Sequence, residues 1–430
     1  MTTPSGGQAV VRGLAAHGVV DFFGVPGVQS DHLYNAIHDE GFPFQVYTTR
    51  HEQGAGYMAL GYAMSSDRVG VFSVVPGPGL LNASAALATA YAVGARVLCL
   101  AGQLPTPWIG RGTGLLHEIV DQPALTGPIT NWQDRADSPD AVTPLLSEAF
   151  RQIDTDKPGP VQLELPADIL GRHTVAETYP TVFTPTHPTA EPHEIARAAR
   201  IVSEAERPLI IVGGGAVDAA DEVRLLAERL GAPVSADRMG HGVLSSRHPL
   251  SIAAPVAHRL WRDTDVVIAI GTRMQRPMAT WGRDTHLRTV WVNVDPDAAG
   301  RIDDPTCSLV ARAEDVVADL ASAVTGTRAT RPDLEAAKAE FERSLETLAP
   351  QIRWLDAIRT ELDDDGIFVA DLTQVAYVGR IAFPVYQPRT YLTPGYSGTL
   401  GWSFASALGA KVANPDAQVV AVTGDGGFLY

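Results

Sequence analysis

The first 172 residues alternate short apolar runs with segments of helical periodicity. Five apolar runs of strand length predict strands at Val19–Phe23, Phe44–Thr48, Val69–Val75, Val97–Ala101 and Val161–Leu165. Apolar positions at helical spacing predict helices near Gly6–His17, Asp31–Asp39, Glu52–Met64, Leu80–Val93 and Pro139–Ile153. This strict alternation of strands and helices predicts a parallel sheet that helices cover on both faces.

The same alternation occurs again in two later segments. The middle segment has predicted strands at Leu209–Val212, Val266–Ile270 and Thr289–Val294. The last has a helix, a strand, a second helix and a second strand, predicted at Ile352–Leu362, Ile367–Ala370, Leu400–Ala413 and Gln418–Val422. Two aperiodic stretches, His173–Pro192 and Gly326–Pro332, read as linkers.

We therefore expect an α/β protein of three doubly wound parallel-sheet domains, at residues 1–172, 193–325 and 350–430. The third domain is expected to be incomplete in this chain. The sequence stops at VVAVTGDGGFLY, directly after an apolar strand and a glycine turn, where a covering helix should follow.

Composition excludes several classes of protein. The 430 residues are 45% hydrophobic and 19% charged, as in ordinary globular proteins with large cores. The net charge of −16 argues against nucleic acid or an anionic membrane as the main partner. No apolar run is long enough to span a membrane, and no signal peptide pattern is present. With only two cysteines, of which Cys99 should be a core residue, we expect a reduced, cytoplasmic protein.

The stretch Thr48–Ala63 carries the first chemical signal. It leads from a strand directly into a helix whose first turn contains Glu52, on the same face as Ala55 and Ala59. The helix also contains Gly54, Gly56 and Gly61, each of which costs about 1 kcal/mol of helix propensity relative to alanine. We infer that some group approaches this helix closely. The simpler reading of Glu52 is a first-turn acid that interacts with the helix dipole.

Glycine- and proline-rich turns follow three of the other strands in this domain. They are Gly24–Gly27, Pro76–Gly79 and Gly102–Pro105. In a parallel sheet, all of these turns and Glu52 should meet beyond the carboxyl ends of the strands, where ligands bind. Each turn taken alone could simply connect a strand to a helix.

The combined motifs resemble the thiamine-diphosphate-dependent enzymes, most closely the acetolactate synthase-like branch. The matching stretches are FFGVPG (from Phe22), RHEQGAGYMALGYA (from Arg50), PGPGLLNA (from Pro76), GQLPTPWIG (from Gly102), KPGPVQLELPADI (from Lys157), SGTLGWSFASALGAKVANPDA (from Ser397) and GDGGF (from Gly424). They run along nearly the whole chain. The resemblance implies a pyrimidine-binding domain, a central domain and a diphosphate-binding domain, in that order.

The resemblance also implies the site residues. Glu52 would hydrogen-bond N1′ of the cofactor pyrimidine and so promote removal of the thiazolium C2 proton. Asp425 would bind Mg²⁺, a cation that prefers oxygen ligands. The other implied cofactor contacts are Val25, Pro26, Pro78, Asn82, Thr373, Gln374, Gly398, Leu400, Gly424, Gly426 and Gly427. Leu400 would bend the cofactor, although it could equally be an ordinary core leucine.

Gln103 and His117 are the implied substrate contacts, and His117 replaces a glutamine found in the synthases. A histidine there could donate to a substrate carboxylate or carbonyl, or it could be a surface helix residue. Because Glu52 and Asp425 lie in different domains, the resemblance implies a homodimer or homotetramer with each site between two subunits. SIAAPVAHRL (from Ser251) departs from the flavin-binding synthases, so we expect no FAD.

The expected activity is decarboxylation of a 2-oxo acid such as pyruvate, followed by transfer of the acyl group to a second carbonyl. The alternatives are a simple 2-oxo acid decarboxylase or 2-hydroxyacyl lyase, and a non-catalytic paralogue or fragment. A nucleotide-binding protein that uses Gly213–Gly215 is a third possibility. We favour a tight turn there, since a full GxGxxG pattern is missing. Asp295 and Asp297 form a turn signal, but they could equally reach a ribose.

Overall fold

The computed structural model describes residues 3–175, 180–183, 186–283, 285–302, 304–325 and 331–430. They form two compact units, Met1–Thr186 together with Pro394–Tyr430, and His187–Thr393. None of the described helices combines the length and apolar character needed to cross a bilayer. The expected domain boundaries at 172, 193, 325 and 350 remain predictions.

A six-stranded parallel sheet forms the centre of the first unit. Its strands are β1 (Asp21–Gly24), β2 (Gln45–Thr48), β3 (Gly70–Val74), β4 (Val97–Gln103), β5 (Trp132–Arg135) and β6 (Val161–Pro166). The helices are α1 (Gly6–Ala16), α2 (Asp31–Asp39), α3 (Glu52–Met64), α4 (Pro78–Val93), α5 (Gln122–Thr126), α6 (Val142–Asp154) and α7 (Ala167–Gly171). The strand order is β2-β1-β3-β4-β6-β5, so the strands that precede the glycine-rich turns and Glu52 are direct neighbours.

Local sequence explains where these elements begin and which strands are central. Ser5 begins α1 with a capping box, in which its hydroxyl accepts from the N–H of Gln8 and the Gln8 side chain accepts from the N–H of Ser5. Every residue of β3 and β4 is buried, as expected for central strands of a sheet covered on both faces. Cys99 lies on β4 and is buried, as predicted.

The second unit contains another six-stranded parallel sheet, with the order β12-β11-β10-β7-β8-β9. Its strands are β7 (Pro208–Val212), β8 (Val234–Ala236), β9 (Ser251–Ile252), β10 (Val266–Ile270), β11 (Arg288–Asn293) and β12 (Cys307–Val310). Its helices are α8 (Pro192–Ser203), α9 (Ala220–Leu230), α10 (Ala254–Trp261), α11 (Gln275–Thr280), α12 (Ala313–Ala323), α13 (Leu334–Ser344), α14 (Ala349–Glu361) and α15 (Gln374–Ala382). A small third sheet begins here with β13 (Ile367–Ala370) and β14 (Tyr391–Leu392), which pair in parallel.

The last elements, α16 (Trp402–Ala413), β15 (Val419–Val422) and α17 (Asp425–Phe428), belong to the first unit. Helices α3 and α16 touch backbone to backbone. A Cβ atom at Gly61 would overlap the carbonyl oxygen of Ser406, and one at Gly409 would overlap the carbonyl oxygen of Met58. The close approach inferred for α3 is therefore confirmed at Gly61, and the approaching group is another helix.

The α/β class and the three parallel-sheet domains with a small third sheet are confirmed. Strands β5, β8, β9, β12 and β14 were missed, because each is short and lacks a clear apolar run. Two linker predictions fall partly outside the described residues, at 176–179 and 184–185 in the first and at 326–330 in the second. His173, predicted to start the first linker, instead forms an antiparallel bridge with Ser5.

Candidate active site

A carboxylate and an amide from different helices meet beyond the carboxyl ends of the first sheet. Glu52 begins α3 directly after β2, and the side chain of His51 caps that helix by accepting from the N–H of Gln53. The side-chain amide of Asn82, on α4, donates to Oε2 of Glu52 over 3.0 Å. Glu52 is half-buried and Asn82 is exposed. Glu52 therefore lies in the first turn of α3, as expected, and also has a side-chain partner on a neighbouring helix.

Two glycines of the turn after β3 allow close approaches, one to Glu52 and one to the loop that carries His117. A Cβ atom on Gly79 would lie 3.4 Å from Oε1 of Glu52 and 2.6 Å from a methyl group of Val75. Gly77 has a φ of +59°, and a Cβ atom there would lie 2.5 Å from the carbonyl oxygen of His117. Only glycine fits both requirements, a left-handed backbone and direct contact with the loop that carries His117.

His117 lies in a turn rather than in a helix, with a φ of +70°. Its Nδ1 is 3.1 Å from Oε1 of Gln29, whose amide nitrogen donates to the carbonyl of Leu116 over 3.1 Å. Because an amide oxygen only accepts, Nδ1 of His117 carries the proton and Nε2 of the neutral ring is an acceptor. The alternative of a surface helix histidine is therefore wrong.

A buried network fixes the turns of this edge to the sheet. The amide nitrogen of Gln122 donates to Oε1 of Glu164 over 2.9 Å and to the carbonyl of Gly102 over 3.1 Å. Its oxygen accepts from the N–H of Gly77 over 2.7 Å. Gln103 is 3% exposed, and its side chain also hydrogen-bonds Glu164. We call Gln103, Gln122 and Glu164 the Gln122 network.

Glu164 is the buried acid of this network. Burial raises its pKa, and the hydrogen bonds from Gln122 and Gln103 oppose that effect. The guanidinium of Arg135 lies 4.0 Å from Oε2, for which no hydrogen-bond partner occurs among the described residues. In the buried carboxyl group of Glu164, Oε1 therefore accepts a hydrogen bond, and Oε2 faces the guanidinium of Arg135.

A cavity of about 450 Å³ lies beside the Gln122 network. Gln103 and Gln122 line its inner wall. The lining also includes two carboxylates, an amide and a guanidinium, contributed by Asp121, Asp134, Gln133 and Arg135. Arg135 is paired with Asp137 over 2.9 Å. Asp121 and Asp134 each accept one backbone N–H, so each of these two carboxylates has a second oxygen that no backbone N–H of the described residues occupies.

The implied pyrimidine contacts lie at the same edge. The N–H of Val25 donates to the carbonyl of Ser73 over 3.3 Å, which holds the turn after β1 beside β3. Pro26 and Pro78 are both exposed, beyond the ends of these strands.

The loop before α16 is attached to α4. The hydroxyl groups of Thr89 and Thr399 are 2.6 Å apart. Between Ser397 and Leu400, the backbone of Gly398 takes a left-handed conformation, with a φ of +61°. The side chain of Leu400 is 46% exposed, so the alternative of an ordinary core leucine is wrong.

The predicted metal ligand and diphosphate contacts lie on exposed turns. Asp425 is exposed and occupies the first position of α17, after Gly424. A Cβ atom at Gly426 would meet no described atom within 4 Å, so its backbone is accessible. Gly427 is half-buried in the same turn. A carboxylate beside accessible backbone N–H groups suits a cation and a phosphate together.

Thr373 and Gln374 belong to the second unit. The hydroxyl of Thr373 caps α15 by accepting from the N–H of Ala376 over 3.1 Å. The side-chain oxygen of Gln374 accepts from the amide of Gln351 over 3.2 Å. Their contact with a diphosphate stays a prediction.

Comparison with known proteins identifies the family. Residues 4–125, 195–320 and 371–430 match, in this order, the N-terminal TPP binding domain, the central domain and the C-terminal TPP binding domain of thiamine pyrophosphate enzymes. The "Probable 2-ketoarginine decarboxylase" of Pseudomonas aeruginosa is 33% identical over 446 residues, which cover 100% of this chain and 78% of that protein. The chain belongs to the thiamine pyrophosphate enzyme family.

Two acetolactate synthases are also similar to this thiamine pyrophosphate enzyme. The large subunit from Corynebacterium glutamicum is 31% identical over 454 residues, covering 99% of this chain and 71% of that protein. The isozyme 1 large subunit from Escherichia coli is 29% identical over 441 residues, covering 99% and 77%. The expected family and its acetolactate synthase-like branch are thus confirmed.

Sequence reasoning missed three residues at this edge of the enzyme: Gln29, Gln122 and Glu164. Glu164 had a signal, since it is the one charged residue within the VQLELP strand. Gln29 lies in a single helical turn and Gln122 is the first residue of the short helix α5. In sequence, a glutamine at such a position that faces solvent looks the same as one that joins two turns.

The glycine run of the central domain is accounted for by backbone packing. Cβ atoms at Gly213 and Gly215 would lie within 3.0 Å of backbone atoms of Gly271, and the N–H of Gly215 donates to the Gly271 carbonyl over 3.0 Å. Asp295 accepts from the N–H of Asp297 and pairs with Arg301 over 2.8 Å. Both observations favour the tight-turn interpretation over a nucleotide site.

Proposed function

We propose that this thiamine pyrophosphate enzyme is a Mg²⁺-dependent decarboxylase and carboligase of a 2-oxo acid such as pyruvate. The observation that carries the proposal is the hydrogen bond between Asn82 and Glu52, at the edge where the strand ends and their glycine turns meet. It gives the family's activating glutamate a defined orientation, with Oε2 engaged and Oε1 beside Gly79.

The residues present fit the cofactor. A Cβ atom at Gly79 would collide with Val75 and contact Oε1 of Glu52, so the glycine leaves this side of the carboxyl group uncovered. When bound, thiamine diphosphate supplies a carbon nucleophile for the substrate carbonyl. Glu52 would hold a proton at Oε1, the oxygen that Asn82 does not contact, and exchange it with the pyrimidine ring. Such positioned proton transfer contributes about 10²–10⁴-fold to rate.

Asp425 would supply one carboxylate to Mg²⁺, and Gly424, Gly426 and Gly427 would let the backbone approach the diphosphate. Val25, Pro26 and Pro78 would surround the pyrimidine. The exposed Leu400 would contact the cofactor between its pyrimidine and thiazolium rings. A dimer or tetramer, with each site shared by two subunits, belongs to this proposal. We also keep cytoplasmic localisation and the absence of FAD as predictions.

His117 would accept and donate a proton near the substrate carbonyl. Its Nδ1 proton is committed to Gln29, so Nε2 is the nitrogen that can accept a proton and, once protonated, donate it. Gln103 would act mainly through its contact with Glu164, because its side chain is buried.

The stoichiometry of pyruvate consumption tests the proposal. The full-length enzyme with thiamine diphosphate and Mg²⁺ should consume two molecules of pyruvate for each CO₂ released if the acyl group is transferred to a second pyruvate. Simple decarboxylation consumes one. Absence of CO₂ release from a broad panel of 2-oxo acids would contradict catalysis and favour a non-catalytic paralogue.

A second candidate is simple decarboxylation of a 2-oxo acid that carries a cationic side chain. The carboxylates Asp121 and Asp134 and the amide of Gln133 in the 450 Å³ cavity are acceptors suited to a guanidinium or ammonium group. The similarity to a protein named for 2-ketoarginine points the same way.

This candidate predicts that 5-guanidino-2-oxopentanoate is a better substrate than 4-methyl-2-oxopentanoate, which has a neutral side chain. Asp134→Asn should then raise KM for the guanidino substrate alone. An equal effect of Asp134→Asn on both substrates would contradict it.

A further inference from the structure

A second cavity, of about 440 Å³, lies in the second unit, and none of its lining residues belongs to the unit that carries Glu52 and Asp425. Residues of β7 and β8, the segment 241–256, α13 and the end of α15 line it. One part of its wall is apolar, formed among others by Leu244, Ile252 and Phe341. Another part is basic and contains Arg380 and His241. The cavity therefore offers an apolar surface and a cationic surface to the same ligand.

Arg380 is the unusual residue of this cavity. Its Nε is buried and has no hydrogen-bond partner among the described residues, and its guanidinium lies 5.0 Å from the centre of the Tyr377 ring. Burial lowers its pKa, and the positive charges of Arg238 and Arg276 lower it further. A partly desolvated cation close to two other cations is unfavourable, and an anion bound beside it would reduce that cost.

The other basic groups that line the cavity already have partners. Arg247 forms a two-pronged ion pair with Asp364, and His248 lies 3.3 Å from Oε1 of Glu228. The ammonium of Lys338 donates to the carbonyl of Pro249. Among the lining residues the one acid, Glu342, is exposed and is not among the groups that shift the pKa of Arg380.

The position of Arg380 in its helix does not remove the need for a counter-ion. It lies in the last turn of α15, where the helix dipole favours a cation. A cation that served only this purpose would hydrogen-bond the last carbonyls of the helix or extend into water. Arg380 as a whole is partly buried, and its Nε is shielded from water and hydrogen-bonds none of these carbonyls.

His241 provides a neutral polar group beside Arg380. Burial lowers its pKa to about 4, and the charge of Arg380 acts in the same direction, while Asp237 opposes it. The ring packs against Tyr391, with 4.7 Å between the ring centres. At neutral pH His241 therefore offers a hydrogen bond without adding a positive charge.

We propose that this cavity binds a small organic anion with an apolar body, such as a branched aliphatic carboxylate. The carboxylate group would pair with Arg380 and accept from His241, and the hydrocarbon part would contact Leu244, Ile252 and Phe341. This site is independent of the proposed decarboxylase function and of the catalytic edge.

Calorimetric titration of the full chain, loaded with thiamine diphosphate and Mg²⁺, tests this site. The probe is 4-methylpentanoate, which lacks a 2-oxo group and cannot react. It should bind saturably, and 4-methylpentylamine, which has the same hydrocarbon part and the opposite charge, should not. Arg380→Met should weaken binding about tenfold or more, because it removes a charge-assisted contact and keeps much of the side-chain volume.

Two matched variants locate the binding. Arg353→Met removes an exposed arginine of α14 and should leave the affinity unchanged. His117→Ala should also leave it unchanged, which separates this cavity from the catalytic edge. Equal binding to the parent and Arg380→Met, loss of binding in His117→Ala, or no saturable heat with 4-methylpentanoate would each overturn the proposal.

Thermal unfolding shows whether each variant is folded and whether the ligand still stabilises it. 4-Methylpentanoate should raise the melting temperature of the parent protein, since it binds the folded state, and should not raise that of Arg380→Met. Leu244→Trp, which fills the cavity and keeps Arg380, should abolish the effect as well. A carboxylate-dependent rise that persists in Leu244→Trp would contradict binding in this cavity.

Discussion

The amide of Gln122 donates to the carboxyl group of Glu164 over 2.9 Å in the interior of the first unit. The same glutamine contacts the backbone of Gly102 and Gly77. Gln122 thereby connects two turns that carry candidate active-site residues to Glu164, a buried residue of β6. The carboxyl group of Glu164, which anchors both turns, is unfavourable to bury in its charged form. The stability of the folded protein should therefore depend on pH.

Glu164→Gln should stabilise the enzyme at neutral and alkaline pH. Burial raises the pKa of Glu164, so the folded state binds a proton more readily than the unfolded state. Its contribution to stability is present in acid and is lost as the pH rises from the unfolded pKa, about 4.3, through the higher folded pKa. Urea unfolding at pH 8 should show the variant to be more stable than the parent.

The difference between Glu164→Gln and the parent should shrink as the pH is lowered toward 4. Glu361→Gln removes an exposed acid and should show no such dependence. A variant less stable than the parent at pH 8 would mean that the contact with Arg135 outweighs the cost of burial.

Glu52→Gln should lower the rate of C2 proton exchange of bound thiamine diphosphate by about 10²–10⁴-fold, because the amide cannot exchange a proton with the pyrimidine ring. Exchange into deuterated water, followed by nuclear magnetic resonance after acid quench, measures this rate. Glu361→Gln is again the control. An unchanged exchange rate would remove Glu52 from the mechanism.

Asn82→Ala should reduce kcat/KM by roughly 10- to 100-fold, because a hydrogen bond to a charged group is worth about 1.5–3 kcal/mol. The loss should appear in kcat, since Asn82 orients Glu52 through its Oε2. Ser84→Ala, two residues along the same helix, removes a hydroxyl that only contacts the carbonyl of Leu81 and should be neutral. If both variants lose activity equally, the effect belongs to the helix and not to the contact.

Gly61→Ala should destabilise the fold by at least about 1–3 kcal/mol, the usual cost of overpacking, because its Cβ atom would overlap the carbonyl of Ser406. Gly54→Ala, on the same helix, would place its Cβ atom 3.5 Å from Thr49 and should be neutral or stabilising by up to about 1 kcal/mol. Denaturant midpoints of the two variants measure the difference. Similar midpoints would show that α16 can move away from α3.

The sequence determined the class of fold, the family and the position of Glu52. Apolar periodicity is a local property, and it placed α3 at Glu52–Met64 and β10 at Val266–Ile270 with the bounds that the structure has. A glutamate at the start of a helix and a glycine after a strand are likewise local features. They can be read without knowing which other segments lie nearby.

Only the tertiary structure decided what those residues contact. Ser406 follows Gly61 by hundreds of residues, yet its carbonyl fills the space beside that glycine. The partners of Gln122 and Gln29, and the left-handed backbone of His117, also depend on loops brought together by the sheet. A glutamine in a short helical turn can bond to water as well as to protein, so its sequence position does not predict its partner. The physical reason is that side-chain contacts depend on how distant elements pack, while periodicity depends only on which face of one element is buried.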